Sequence, residues 1–130
     1  MRFMYIVTSE QSAPPTPALM EAMGKLADRE IKAGRMIDSG GLMSRAMGAQ
    51  VRIRDGELSV VDGPFVEAKE VIGGYAIFEL RNKEEALAAA VEFMQLHKQH
   101  MPGWEGTCEL RAFAAPAHEV GCQVDTLARA

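Results

Sequence analysis

The residues best suited to chemistry crowd into one run, Asp62-Gly63-Pro64-Phe65-Val66-Glu67-Ala68-Lys69-Glu70-Val71-Ile72-Gly73-Gly74-Tyr75. Asp-Gly-Pro constrains the backbone three ways, because Asp tolerates turn geometry, Gly allows positive φ and Pro fixes φ and removes a donor. Charge held on a rigid turn beside a strand suits a small-molecule site. Asp62 has the chemistry of a general acid or base, or of a carboxylate that orients a histidine. Its oxygen is equally suited to cap the turn amides, and the two roles are compatible. Lys69 could hold an anionic substrate or neutralise a developing enolate. As a member of a solvated Glu67, Lys69, Glu70 loop it would contribute under ~1 kcal/mol. Gly73-Gly74 allows close approach of a ligand to the backbone, or tight packing under a helix. No GxGxxG or GxxxxGK context makes it a phosphate loop.

His97 and His100 are spaced i, i+3, with His97 on an apolar stripe near a helix C-terminus, where a satisfied core histidine is the plainer reading. No third residue has convincing metal-ligand spacing, so no metal is expected, and one helical histidine is thin support for haem. Cys108 and Cys122 form no CxxC or zinc pattern.

The elements that must position these residues follow from periodicity. Residues 3–8 read as a strand. Thr16-Pro17 starts a helix with Thr as N-cap, and Leu19, Met20, Met23, Leu26, Ala27 and Ile31 recur at helical spacing as far as Gly34. Residues 36–43 form a weaker strand bent at Gly40-Gly41. Residues 51–54 and 58–61 flank Asp55-Gly56 as a hairpin with a type I′ turn. Residues 73–80 form the best interior strand. Asn82 caps a second helix with Glu85 three residues on, and Leu87, Ala90, Val91, Met94, His97 and Met101 mark its stripe. Residues 107–113 form the last strand. The order β-α-β, hairpin, β-α-β makes an α+β chain, a ferredoxin-like βαββαβ fold with an added β-hairpin.

Such a sheet has one face covered by helices and one open. Alternation puts Ala76, Phe78, Leu80, Cys108, Leu110 and Ala112 on the covered face. Tyr75, Ile77, Glu79, Thr107, Glu109, Arg111 and Phe113 fall on the open one. That open face is too apolar for solvent and too charged for a dry core. It reads as a surface that meets a second copy around a partly polar cavity.

The chain has 130 residues, 48% of them apolar and 25% charged, and a net charge of −4. Those totals suit one soluble domain. No block of like charge attracts nucleic acid or an anionic membrane, and no apolar run is long enough to span one. The opening Met1-Arg2-Phe3-Met4-Tyr5 is too β-like for a secretory segment, so a cytoplasmic location is expected. Nine methionines read as core filling, and Trp104 as a cap on the barrel end or a dimer contact.

Over residues 1–113 the sequence resembles the DGPF-domain proteins of the YCII-related family. Asp62, Gly63, Pro64, Phe65, Glu67, Lys69, Glu70, Gly73 and Gly74 match its pattern, and Glu109-Leu110-Arg111 looks like its terminal strand. The run after Arg111 departs from the family's proline, and residues 114–130 form a C-terminal extension, expected to dock through Val120, Val124 and Leu127. The resemblance implies a homodimeric α+β barrel without a cofactor. It leaves two functions open. One is an enzyme moving protons on a small organic acid or lactone. Asp62 would move or orient the proton, Arg111 would grip a carboxylate, Tyr75 would wall or hydrogen-bond the ring, and Lys69 and Gly74 would help bind a small anionic ligand. The other is a non-catalytic small-molecule-binding or regulatory module, because family members are often encoded beside alternative sigma factors.

Overall fold

A computed structural model describes residues 1–10, 13–62 and 71–114. Residues 63–70, with Lys69 among them, and the extension beyond 114 lie outside the described residues. The chain runs through β1 (Arg2–Ser9), α1 (Pro17–Lys32), β2 (Met36–Gly41), a single 3₁₀ turn (Arg45–Met47), β3 (Gln50–Arg54) and β4 (Glu57–Val61). It continues with β5 (Val71–Glu79), α2 (Lys83–His100) and β6 (Thr107–Ala112). Four strands form one antiparallel sheet in the order β2-β5-β1-β6, and β3 pairs with β4 alone. With one helix after β1 and one after β5, this is the ferredoxin-like arrangement with a hairpin inserted between β2 and β5.

Both helices begin where local chemistry places them. Thr16 Oγ1 accepts from the Leu19 amide at 3.1 Å, and Pro17 follows at the first helical position. Asn82 Oδ1 accepts from the Glu85 amide at 2.9 Å. The Glu85 side chain does not close a capping box; it takes Arg81 Nε at 2.8 Å instead. Asp55 and Gly56 both have positive φ, 51° and 78°, as a type I′ turn requires.

Register settles the two faces of the sheet. Phe3 pairs with Phe78 and Ala112, Tyr5 with Ala76 and Leu110, and Val7 with Gly74 and Cys108. These side chains point toward the helices, where Phe3, Tyr5, Phe78 and Leu80 pack on Ala86 and Ala90. The Tyr5 and Phe78 rings meet edge to face at 5.0 Å. Met4, Ile6, Tyr75, Ile77, Glu109 and Arg111 share the opposite face, as alternation predicts.

The helical stripes need correction. In α2 the buried positions are Ala86, Ala90 and His97, whereas Leu87 and Val91 are half exposed. In α1 Leu19 and Glu30 are buried, whereas Met20 and Ile31 are exposed. Of the expected stripes Leu19, Ala90, His97 and Met101 are buried; in α2 the small Ala86 and Ala90 meet the core while the larger Leu87 and Val91 turn aside.

Candidate functional site

Between the covered face of the sheet and the two helices lies a cavity of about 1340 Å³. Val7, Gly74, Ala76 and Phe78 form its floor, α1 contributes Leu19, Met23 and Ala27, and α2 contributes Phe93 and His97. Leu42, Met43 and Asp62 stand at the side where the chain leaves β2 and re-enters β5. Most of its lining is on the helix side of the sheet, although Tyr75 of the open face also bounds it. It arises because Gly74, Ala76 and Ala27 are too small to fill the space between α1 and β5.

Most polar groups bounding it already have partners. The Tyr5 hydroxyl donates to the Ala86 carbonyl at 2.7 Å, and burial pushes its pKa up to about 12, so it stays a phenol. Glu30 is buried in α1 and accepts from Arg35 Nε at 3.1 Å, from Arg35 Nη2 and from Arg29 Nε at 3.3 Å. The Arg35 hydrogen bonds hold its carboxyl below the usual carboxylate range. Glu92 takes Arg29 in a two-pronged pair at 2.9 and 2.6 Å, which depresses its carboxyl in the same way.

His97 differs. It is buried, with its ring between Phe93 at 4.6 Å and Trp104 at 4.7 Å. Nδ1 lies 3.1 Å from the Phe93 carbonyl oxygen and so must carry the hydrogen it donates. With that hydrogen on Nδ1, Nε2 is the other nitrogen open to a partner, and the ring bounds both this cavity and a smaller one beside Met94 and Trp104. The sequence pointed to His97 through its place on the apolar stripe, but gave no sign of the void beside it.

Of the residues expected to form the site, Asp62, Gly74 and Tyr75 bound this cavity and Asp62 is exposed there. Arg111 does not bound it. Arg111 stands in register with Met4 and Ile77, while Tyr75 aligns with Ile6 and Glu109. Two strands and two residues part them, roughly 12 Å at sheet spacings. Asp62 thus bounds this cavity without Arg111, while Tyr75 and Arg111 share the open face. The Tyr75 phenol donates to Asp38 Oδ2 at 3.1 Å across Gly40, whose missing side chain leaves room for the ring. That bond raises the phenol pKa. Gly74 is tight against the neighbouring strand rather than a helix: a Cβ there would sit 3.0 Å from the Gly40 carbonyl oxygen. Lys69 lies outside the described residues.

Among the described residues no group of three His, Cys, Asp or Glu side chains could hold a metal ion, and no helix is long and apolar enough to cross a membrane.

Comparison with known proteins adds three findings. The model of the YCII-related domain matches residues 1–93. Uncharacterized protein R00369 of Rhizobium meliloti (strain 1021) is 30% identical over 81 residues, 62% of this chain; the match spans 65% of that relative's length, a little under two thirds. A solved structure aligns over 91% of this chain and 98% of its own, with a TM-score of 0.45 and 14% identity. It is the 5-chloro-2-hydroxyhydroquinone dehydrochlorinase of Burkholderia phenoliruptrix AC1100 with 2,5-dihydroxybenzoquinone.

Proposed function

Because the chain belongs to the YCII-related domain family and encloses a cavity of this kind, we propose that it is a cofactor-independent small-molecule enzyme that moves a proton on a small, largely apolar ring. The observation that carries the reading is His97, tautomer-fixed through Nδ1 beside an apolar cavity. In this mechanism Nε2 accepts a proton from an acidic C–H or O–H of the bound ring. The resulting imidazolium returns it to another atom of the same ligand. Apolar walls exclude water, which strengthens each of these contacts.

Charge favours a weak acid over a strong anion. Glu10, Glu30, Glu92 and Asp62 bound the cavity against one cation, Arg45, and Arg111 does not. A phenol or lactone therefore suits it better than a carboxylate. We further propose that the protein works as a homodimer through the open sheet face.

One observation favours plain binding instead. Tyr5, Glu30 and Glu92 are already engaged, so few polar groups remain to do chemistry. Both readings meet one experiment. Phenol, γ-butyrolactone and benzoate are titrated by NMR, and deuterium exchange from solvent into the lactone is followed. Catalysis predicts that the uncharged probes bind best and that exchange is lost in His97→Gln while binding remains. Binding without any exchange would leave the binding module. If none of the probes binds, both readings fail.

A further inference from the structure

The β3–β4 hairpin is a two-stranded sheet whose one face is wholly apolar and, among the described residues, exposed. Val51 pairs directly with Val60, and Ile53 with Leu58, so all four side chains share a face. Each is 65–74% exposed. The other face alternates to polar: Arg52 pairs with Ser59 and Arg54 with Glu57. Among the described residues β3 and β4 pack chiefly on each other, not on the main sheet or the helices. An isolated two-stranded hairpin is marginal in water, so an arm of this kind calls for a surface to lie on. In the connection from β2, Met43 and Met47 are also about three-quarters exposed.

We propose that this apolar face docks on a second copy of the chain, reciprocally, against the open face of its four-stranded sheet. The inference rests on the dimer proposed above and goes beyond it by assigning the hairpin as the arm that reaches across. Three features select a second copy. The chain carries its own second surface with apolar content, where Met4, Ile6 and Ile77, partly buried, and Phe113, exposed, share the open face with Glu109 and Arg111. The hairpin face holds no charge, so it offers nothing to a nucleic acid or an acidic or basic peptide. The area also fits. One hairpin face exposes roughly 400 Å² of apolar surface, the upper size for a monomer left in water. Two arms seated on two sheet faces would together bury roughly 1,600 Å², a standard stable interface. A two-fold axis makes both contacts at once.

Sedimentation of the full-length protein at micromolar concentration tests this. The wild type should be a dimer. Ile53→Asp combined with Leu58→Asp, at exposed positions outside the core, should keep its circular dichroism and cooperative melt while dimer affinity falls at least roughly 30-fold. Ser59→Asp, on the polar face of the same hairpin, should leave the affinity unchanged. If the double variant dimerises like wild type while Ile77→Asp dissociates, the dimer stands and the hairpin assignment is overturned. A wild type that is monomeric overturns the dimer and the assignment together.

Discussion

At the scale of single residues, the buried carboxylate of Glu30 separates stability from chemistry. It bounds the cavity, yet two arginines hold it ionised, so it organises the α1 end and does not titrate with a ligand. Its carboxyl pKa is lower folded than unfolded. The stability it adds is therefore complete above the ordinary glutamate range and disappears as pH falls through the depressed value. Glu30→Gln should cost about 1–3 kcal/mol in urea unfolding at neutral pH, since hydrogen bonds to charged groups are lost. At about pH 3 the gap between variant and wild type should narrow; a constant gap would show that the ion pairs contribute nothing. Cys108 gives a second test. Burial pushes its thiol up to about 11, so it is a poor nucleophile. In a Cys122→Ser background it should react slowly with a disulfide reagent at pH about 8 and rapidly once unfolded. Neither Glu30 nor His97 was legible as a cavity group in the sequence, because a void is defined by the volume that Gly74, Ala76 and Ala27 fail to fill. Asp62, by contrast, stood out from its turn chemistry alone.

Elements were read with most success where short-range chemistry decides. Thr16, Asn82 and Asp55-Gly56 announced two helix starts and a turn, and strict alternation assigned both faces of β5 and β6. Helical rotation was read less well: the α2 stripe took in Leu87 and Val91, which are half exposed, and missed Ala86, while Ala90, His97 and Met101 are buried as expected. Thr16 joins the two helices: its hydroxyl accepts from the Leu19 amide and donates to the His100 carbonyl at 2.8 Å. One side chain thus closes the start of α1 and the end of α2. Thr16→Ala should cost about 1–2 kcal/mol, with most of it recovered in Thr16→Ser. Thermal melts of the three proteins measure this, and equal midpoints would refute the double role. Midway along α1, a Cβ added at Gly24 would meet nothing within 4 Å. Gly24→Ala should add about 0.5–1 kcal/mol through helix propensity.

For the molecule as a whole, the cavity is a packing deficit, and the proposed site gives it a use. Ala27→Leu should fill part of it, raise the melting temperature and weaken phenol binding. Tighter binding on filling would place the ligand elsewhere. The hairpin belongs to the same scale, and its connection has a further consequence. Gly41 pairs with Gly74, and the Leu42 amide donates to the Gly73 carbonyl at 3.0 Å. The excursion from β2 to β5 thus leaves and rejoins the sheet at one place. Closing such a loop depends only logarithmically on its length. The insert is therefore a natural graft point: arms of other lengths and patterns can be spliced between the same two glycine pairs without disturbing the strand order beneath them.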